Sequence, residues 1–237
     1  MNIMEDRGVL ECIQITSTKV NNPMETLKVG VLGSGQVAKV LAEGFIKHGH
    51  QVMAGSRDVS KLKDWNSKMP GILTGSFEQA AAFGDVVVLA VKGTAAVSLV
   101  KSLASALAGK VVIDTTNPIA EVPPVNGVLR FFTSLEDSLM ERLQVAVPEA
   151  RFVKAYNSVG NLLMVNPIVA GGKPTMFICG NDEKAKQKVT AILDQFGWEA
   201  LDCGKVEAAR AIEPLCMLWC IPGFLRNEWT HAFKVVR

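Results

Sequence analysis

Residues 27–57 read LKVGVLGSGQVAKVLAEGFIKHGHQVMAGSR. An apolar run, Val29 to Leu32, leads through Gly33-Ser34-Gly35-Gln36-Val37-Ala38 into a stretch with the apolar spacing of an amphipathic helix. The first glycine permits a tight turn, the second lets the backbone approach a pyrophosphate, and the small third residue keeps the helix close to the strand. A strand, this turn, a helix and a second strand within about thirty residues predict a dinucleotide-binding βαβ unit.

The second strand of this unit, Val52 to Ala54, ends in Gly55-Ser56-Arg57. NAD-binding proteins place an acid here to hold the ribose 2′-hydroxyl, whereas a hydroxyl and a guanidinium suit a 2′-phosphate. Lys61 follows, which strengthens this preference. The unit therefore predicts an NADP(H) site, with the helix N-terminus facing the phosphates. Asp58 either caps the next helix or pairs with Arg57 and weakens its role.

The composition predicts a well-buried α/β protein of one large domain, or of one domain with a modest appendage. The chain has 237 residues, of which 49% are hydrophobic and 20% charged, and its net charge of +2 gives no sign of a nucleic-acid surface. Its longer apolar runs, such as Val86 to Val91, are too short to span a bilayer, and the N-terminus has no secretory pattern. We therefore expect a cytoplasmic protein with no membrane partner.

Strand and helix patterns alternate along most of the chain. Strands are predicted over 29–32, 51–54, 72–75, 86–91, 111–114 and 151–156, and helices over 36–48, 58–66, 77–83, 95–107 and 135–145. This alternation predicts an α/β fold of the Rossmann type, with a doubly wound, mostly parallel sheet.

A smaller C-terminal part follows the predicted sheet. Its pattern predicts a strand, a helix and a strand over 175–179, 182–196 and 199–201, which extend the sheet. A helix over 206–219, interrupted at Pro214, and a last helix over 223–234 complete the chain. The predicted organisation is a poorly ordered extension (1–26), an NADP-binding domain (27–160) and a small portion that completes an acceptor cleft (161–237).

Ligands of doubly wound sheets bind at the carboxyl ends of the strands. Those ends carry Val91, with Ala95 just beyond it, then Thr115 with Asn117, and finally Asn157. Val91 and Ala95 are candidates for contact with the nicotinamide-side ribose, and Thr115 and Asn117 for hydrogen bonds to the carboxamide or the redox partner. Ordinary turn chemistry explains the asparagines equally well, so both interpretations stay open.

No side chain stands out as a catalytic acid, base or nucleophile, and the five cysteines and three histidines form no metal-ligand pattern. Hydride transfer from nicotinamide to a flavin-like ring requires aligned rings more than a protein acid. We therefore predict neither a catalytic residue nor a metal, and a small-molecule electron acceptor with a ring system.

The segments VGVLGSGQVAKVLAEGFIKHGHQVMAGSR, DVVVLAVK, VVIDTTNP and VKAYNSVG together resemble the F420-dependent NADP oxidoreductase family. They are equally similar to the soluble reductase domain of the six-transmembrane metalloreductases. The resemblance implies hydride exchange between NADPH and a deazaflavin (F420) or a flavin (FMN or FAD), often in a homodimer. It also implies that the pyrophosphate contacts Ser34, Gln36 and Val37, and that the 2′-phosphate is held by Ser56, Arg57 and Lys61.

The acceptor is expected between the carboxyl edge of the sheet and the final helices, with Met164, Pro214, Met217 and Trp219 as candidate walls. Two other functions remain open at this point. One is a non-catalytic NADP(H)-sensing module, which is compatible with the missing acid or base. The other is a β-hydroxyacid or pyrroline-carboxylate type of reductase, against which the strand–helix–strand pattern near the C-terminus argues.

Overall fold

The structure is a computed structural model that describes residues 25–236. Six strands form a parallel sheet in the order β3-β2-β1-β4-β5-β6. They are β1 (Lys28–Leu32), β2 (Gln51–Gly55), β3 (Leu73–Gly75), β4 (Val86–Leu89), β5 (Val111–Asp114) and β6 (Arg151–Lys154). The chain winds outward in both directions from the β1–β4 pair, which confirms the predicted Rossmann-type fold. The predicted extension 1–26 lies outside the described residues, apart from its last two positions.

The sheet is buried on both faces, which explains why its central strands are continuously apolar. Val86 and Val88 of β4 belong to one buried cluster, whereas Val87 and Leu89 belong to a second cluster on the opposite face. The covering helices are α1 (Gln36–Lys47), α2 (Trp65–Lys68), α3 (Phe77–Phe83), α4 (Gly93–Ser102), α5 (Ala104–Leu107) and α6 (Leu139–Ala146). Most of these elements form within a few residues of their predicted positions. The helix predicted over 58–66 is instead a 3₁₀ turn (Val59–Leu62) followed by α2, and the helix predicted over 135–145 begins only at Leu139.

The predicted C-terminal strand, helix and strand are found as β7 (Thr175–Ile178), α7 (Glu183–Gln195) and β8 (Glu199–Asp202). The two strands form a separate parallel sheet instead of adding to the main one. A single antiparallel bridge between Lys154 and Cys179 joins this small sheet to β6. The unit therefore packs at the edge of the Rossmann sheet.

The end of the chain differs from the prediction. Helix α8 (Ala209–Ile212) precedes α9 (Pro214–Arg226), so Pro214 begins a helix, as proline at a first helical position favours. The predicted last helix over 223–234 is wrong. Asn227 ends α9 in the left-handed conformation, with φ 57°, and the chain then turns back so that the Trp229 ring lies over Gly223.

The helical stretch Val206–Arg226 is long and apolar enough to cross a membrane by length and composition alone. Core helices of globular proteins meet the same criterion. In this structure the stretch contains Glu213, which is buried and forms an ion pair with Lys154 of β6. The stretch is thereby tied to the sheet.

Candidate functional site

Two adjoining cavities open along the carboxyl ends of β1, β2, β4 and β5. The first has a volume of about 640 Å³ and the second a volume of about 800 Å³. Both are lined by Gly35, Ala90, Val91 and Lys92. Ligands that fill the two cavities therefore meet at this shared lining.

The glycine-rich turn between β1 and α1 lies at the centre of the site. Gly33 has φ 149°, and a Cβ there would lie 2.3 Å from the carbonyl oxygen of Ala90, so only glycine fits. Gly35 has open space where its Cβ would lie, so the backbone is accessible from the cavity. It precedes α1 without a side-chain cap, which leaves N–H groups of the first turn for an anion.

One end of the first cavity carries the cations that the sequence singles out. Ser56, Arg57 and Lys61 line it, and Ser56 Oγ accepts a hydrogen bond from the Asp58 N–H at 3.2 Å. The Asp58 carboxylate accepts hydrogen bonds from the Ser60 N–H and Oγ, at 3.1 and 2.6 Å, and these bonds lower its pKa. Asp58 therefore caps the following 3₁₀ turn (Val59–Leu62) and leaves Arg57 available.

The second cavity lies on the other side of the shared lining. Gln36 and Val37 of α1 line it, together with Thr115 and Asn117 after β5. Ala95, which the sequence places beside Val91, lines the first cavity instead. The structure thus divides the predicted residues between two compartments that share Val91.

The outer wall of the second cavity is a segment that the sequence analysis did not single out. Residues 119–131 form a hairpin-like arm, with antiparallel bridges between Ile119 and Phe131 and between Val125 and Val128. Its first five residues, 119–123, line the cavity. The signal was present, because Asn-Gly between apolar residues is a strong hairpin pattern, and Asn126 and Gly127 both have positive φ as a type I′ turn requires.

Asn157 lies behind the wall of the second cavity and lines neither compartment. It is 3% exposed, and its side-chain N–H groups donate to the Ile212 carbonyl at 2.9 Å and to Asn117 Oδ1 at 3.3 Å. The Asn117 amide in turn donates to the Asn157 carbonyl at 2.8 Å. In this structure Asn157 supports the wall on which Asn117 lies.

The residues predicted as acceptor walls line neither cavity. Met164 is buried, and its carbonyl accepts a hydrogen bond from the Trp198 indole at 3.0 Å. Trp219 packs over Gly160 and stacks on His231. Pro214 and Met217 line neither cavity either, and the outer wall of the second cavity comes from the arm.

Charged side chains frame both cavities. Lys92 forms an ion pair with Glu121 of the arm, with 3.0 Å between Nζ and Oε1, and both side chains are well exposed. Among the described residues that line the cavities there is no histidine or cysteine, and no group of three metal-ligating side chains occurs in the described part of the chain. The arrangement can bind a phosphorylated dinucleotide next to a second compartment with polar and apolar walls.

Comparison with known proteins agrees with this geometry. The family profile of F420-dependent NADP oxidoreductases matches residues 28–118. The F420-dependent NADP reductase of Methanothermobacter thermautotrophicus is 30% identical over 207 residues, which cover 81% of this chain and 87% of that protein. Rat metalloreductase STEAP3 is 30% identical over 208 residues, but this chain spans only 40% of its length.

Solved structures give the same result. A candidate F420-dependent NADP-reductase from Arthrobacter sp. FB24 superposes with a TM-score of 0.83 at 31% identity, covering 89% of this chain and all of the other. A pyrroline-5-carboxylate reductase from Coxiella burnetii has a TM-score of 0.59 at 18% identity, which shows a shared fold only. The family profile and these relatives together show that the chain belongs to the F420-dependent NADP oxidoreductase family and is an NADP-dependent oxidoreductase.

Proposed function

We propose that this protein transfers hydride between NADP(H) in the first cavity and a deazaflavin of the F420 type in the second. The observation that carries the proposal is the lining shared by the two cavities, formed by Gly35 and residues 90–92. A nicotinamide reaching this lining from one side meets a ring bound on the other. The names of the archaeal relatives and of the Arthrobacter structure favour a deazaflavin over FMN or FAD.

The residues of the first cavity fit NADP(H). Ser34 lines it at the glycine-rich turn, where N–H groups of the first turn of α1 are available to a pyrophosphate. Gln36 and Val37 line the second cavity, next to the lining that both cavities share, so a pyrophosphate bound at the turn would reach them there. At the far end, Ser56, Arg57 and Lys61 provide one hydroxyl and two cations for the 2′-phosphate. The bound nicotinamide supplies or accepts the hydride. The role of the protein is to hold both ends of the dinucleotide so that the ring lies near Val91.

The second cavity fits a flat ring with polar edges. Thr115 and Asn117 line it together with the apolar arm residues Ile119 and Val122. The Thr115 hydroxyl donates to the Leu89 carbonyl at 2.9 Å, which leaves its oxygen as a hydrogen-bond acceptor. In the proposed direction, NADPH, F420 and one proton yield NADP⁺ and reduced F420. The hydride passes directly between the rings, and the proton comes from solvent. Orientation of the rings is the main contribution of the protein to the rate.

The test is anaerobic oxidation of NADPH, followed by its absorbance with F420, FMN, FAD or a ferric chelate in parallel. We expect turnover with F420 well above that with the other acceptors. Faster turnover with FMN or FAD would contradict the deazaflavin assignment. NADPH binding without oxidation by any acceptor would instead indicate a sensing module. Reduction of a pyrroline carboxylate or oxidation of a β-hydroxyacid would indicate the remaining alternative.

A variant that fills one cavity tests where the acceptor binds. Ala120→Trp places a large ring in the second cavity, and we expect it to abolish F420 reduction while NADPH affinity stays within about twofold of wild type. Leu162→Trp is the matched control, because Leu162 is 70% exposed and lines neither cavity. If Ala120→Trp reduces F420 at the wild-type rate, the acceptor does not bind in the second cavity.

We also propose that the protein is a homodimer. Leu218, Phe224 and Leu225 on α9 are exposed, as are Val125 and Val128 of the neighbouring arm. The arm and the helix are contiguous, because a Cβ on Gly127 would lie 3.0 Å from the Leu225 side chain. Light scattering of wild type and of Leu225→Asp tests this: a dimer that the variant dissociates supports the proposal, and a monomeric wild type contradicts it.

A further inference from the structure

A buried network of charges lies behind the wall of the second cavity. Lys154, at the end of β6, is fully buried, and its Nζ lies 2.6 Å from Asp114 Oδ2 and 2.9 Å from Glu213 Oε1. The same ammonium donates a hydrogen bond to the Thr116 carbonyl at 2.9 Å. The two carboxylates outweigh desolvation and raise the pKa of Lys154, which therefore stays charged.

The network attaches the cavity wall to two distant elements. Asp114 Oδ1 accepts hydrogen bonds from the Thr116 N–H at 2.9 Å and from its hydroxyl at 2.7 Å. Glu213 lies just before α9, and its carboxylate accepts the N–H groups of Leu139 and Met140, both at 3.0 Å, at the start of α6. Thr116 is thus fixed by its N–H, its hydroxyl and its carbonyl, all to groups of this network.

The backbone is strained at Tyr156, two residues after Lys154. Tyr156 adopts the left-handed conformation with φ 62°, which is rare for an aromatic residue. Its buried hydroxyl has no hydrogen-bond partner among the described residues. Lys154, two residues before Tyr156, binds the Thr116 carbonyl, and Asn157, the next residue, binds the Asn117 amide. Strained residues persist where surrounding contacts over-determine them, and they cluster at functional sites.

Stability alone does not account for three buried charges. Replacing a buried ion network by apolar side chains of similar volume often leaves stability unchanged or improved, because desolvation offsets the Coulombic gain. What such a network supplies is fixed geometry. The part of the cavity that depends on it is the wall formed by residues 115–117.

We propose that Lys154 is a positioning residue: together with Asp114 and Glu213, it holds the Thr115–Asn117 wall where the acceptor ring requires it. The inference rests on the proposed function for the identity of the acceptor. It assigns the network no contact with either ligand. Loss of the network should therefore impair the reaction with the acceptor and leave NADPH binding in the first cavity intact.

The test compares wild type with a triple variant, Lys154→Met, Asp114→Asn and Glu213→Gln, which keeps side-chain volume and leaves no unpaired buried charge. The matched control is Lys186→Met, because Lys186 is also buried and paired with Glu183 and Asp202 but lies on α7, away from both cavities. NADPH affinity is measured by fluorescence titration, and kcat and KM are measured with F420. Hydrogen exchange of the Thr116 amide reports on the wall without any acceptor.

For the triple variant we expect kcat/KM with F420 to fall by on the order of 100-fold, as displacement of a reacting group by about 1 Å produces. NADPH affinity should stay within about twofold of wild type, and Thr116 should exchange faster. Lys186→Met should keep the wild-type kcat/KM with F420, the wild-type NADPH affinity and the wild-type exchange rate of Thr116. An unchanged kcat/KM, or an equal loss in NADPH affinity, would overturn the proposal.

If wild type reduces no F420, the proposed function fails, and exchange at Thr116 alone decides the positioning role. Faster exchange in the triple variant but not in Lys186→Met supports that role. Exchange at the wild-type rate overturns it.

Discussion

Replacing Arg57 with alanine should convert a protein that prefers NADPH into one that discriminates weakly between NADPH and NADH. Arg57 is exposed on the wall of the first cavity. Asp58, the adjacent acid, is hydrogen bonded to Ser60, and no ion pair within residues 25–236 involves Arg57 or Lys61. The guanidinium is therefore available to a 2′-phosphate without first breaking another contact.

The expected size of the effect follows from this geometry. A hydrogen bond to a charged group contributes about 1.5 to 3 kcal/mol, and exposure of Arg57 to solvent places it toward the lower end. A loss of about 1.5 to 2 kcal/mol corresponds to roughly 10- to 30-fold weaker NADPH binding. NADH lacks the 2′-phosphate, so its affinity should change by less than about twofold.

The assay is titration of both dinucleotides by fluorescence, in wild type, Arg57→Ala and Lys63→Ala. Lys63 is the matched control, because it is an exposed cation two residues beyond Lys61 that does not line the cavity. An unchanged ratio of the two affinities in Arg57→Ala would refute the assignment of the 2′-phosphate site. An equal loss for NADPH and NADH would also refute it, since that result indicates a general distortion.

Three further predictions follow from single positions. Gly35→Ala should leave the free energy of unfolding within about 0.5 kcal/mol of wild type, because the new Cβ meets only open space. The same Cβ would fill the space of the phosphates, so NADPH binding should weaken about tenfold or more. Wild-type affinity for NADPH would count against a phosphate site at this turn. In Gly30→Ala the new Cβ would lie 2.0 Å from the Ala80 carbonyl oxygen. We therefore expect the free energy of unfolding in urea to fall by about 3 kcal/mol, and wild-type stability would contradict this close approach. Burial lowers the pKa of His48, which stacks on Phe196. The stability that neutral His48 contributes should therefore be complete above the ordinary histidine pKa and lost as pH falls through the lowered pKa. In His48→Gln the free energy of unfolding should depend less steeply on pH in this range, and an unchanged dependence would assign it to other groups.

The turn and the cations of the first cavity could be predicted because they are local, whereas Phe77, Glu78 and the α4 residues Ser98, Leu99 and Ser102, which also line it, were not predicted. The turn, the start of α1 and the end of β2 lie within residues 27–61, and the βαβ geometry brings them together whatever the rest of the chain does. The function of Asp58 was the one local question that the sequence left open. The hydrogen bonds from Ser60 answer it, and they depend on the conformation of the turn as well as on residue type.

The second cavity could be predicted only in part. Thr115 and Asn117 follow from the rule that ligands bind at strand ends, but Asn157 satisfies the same rule and lies behind the wall. The rule identifies the edge of the sheet and not the direction in which a side chain points. That direction depends on the contact between Asn157 and Ile212, 55 residues apart in the sequence.

The sequence by itself determined the Rossmann fold, the glycine-rich turn and the cations at the end of β2, because periodicity and turn chemistry act over a few residues. Only the tertiary structure decided which segment forms the outer wall of the second cavity, where the last helix ends, and that Lys154 lies between Asp114 and Glu213. These features depend on packing between segments far apart in the chain. A buried lysine and an exposed lysine are the same letter in the sequence, and the fold alone distinguishes them.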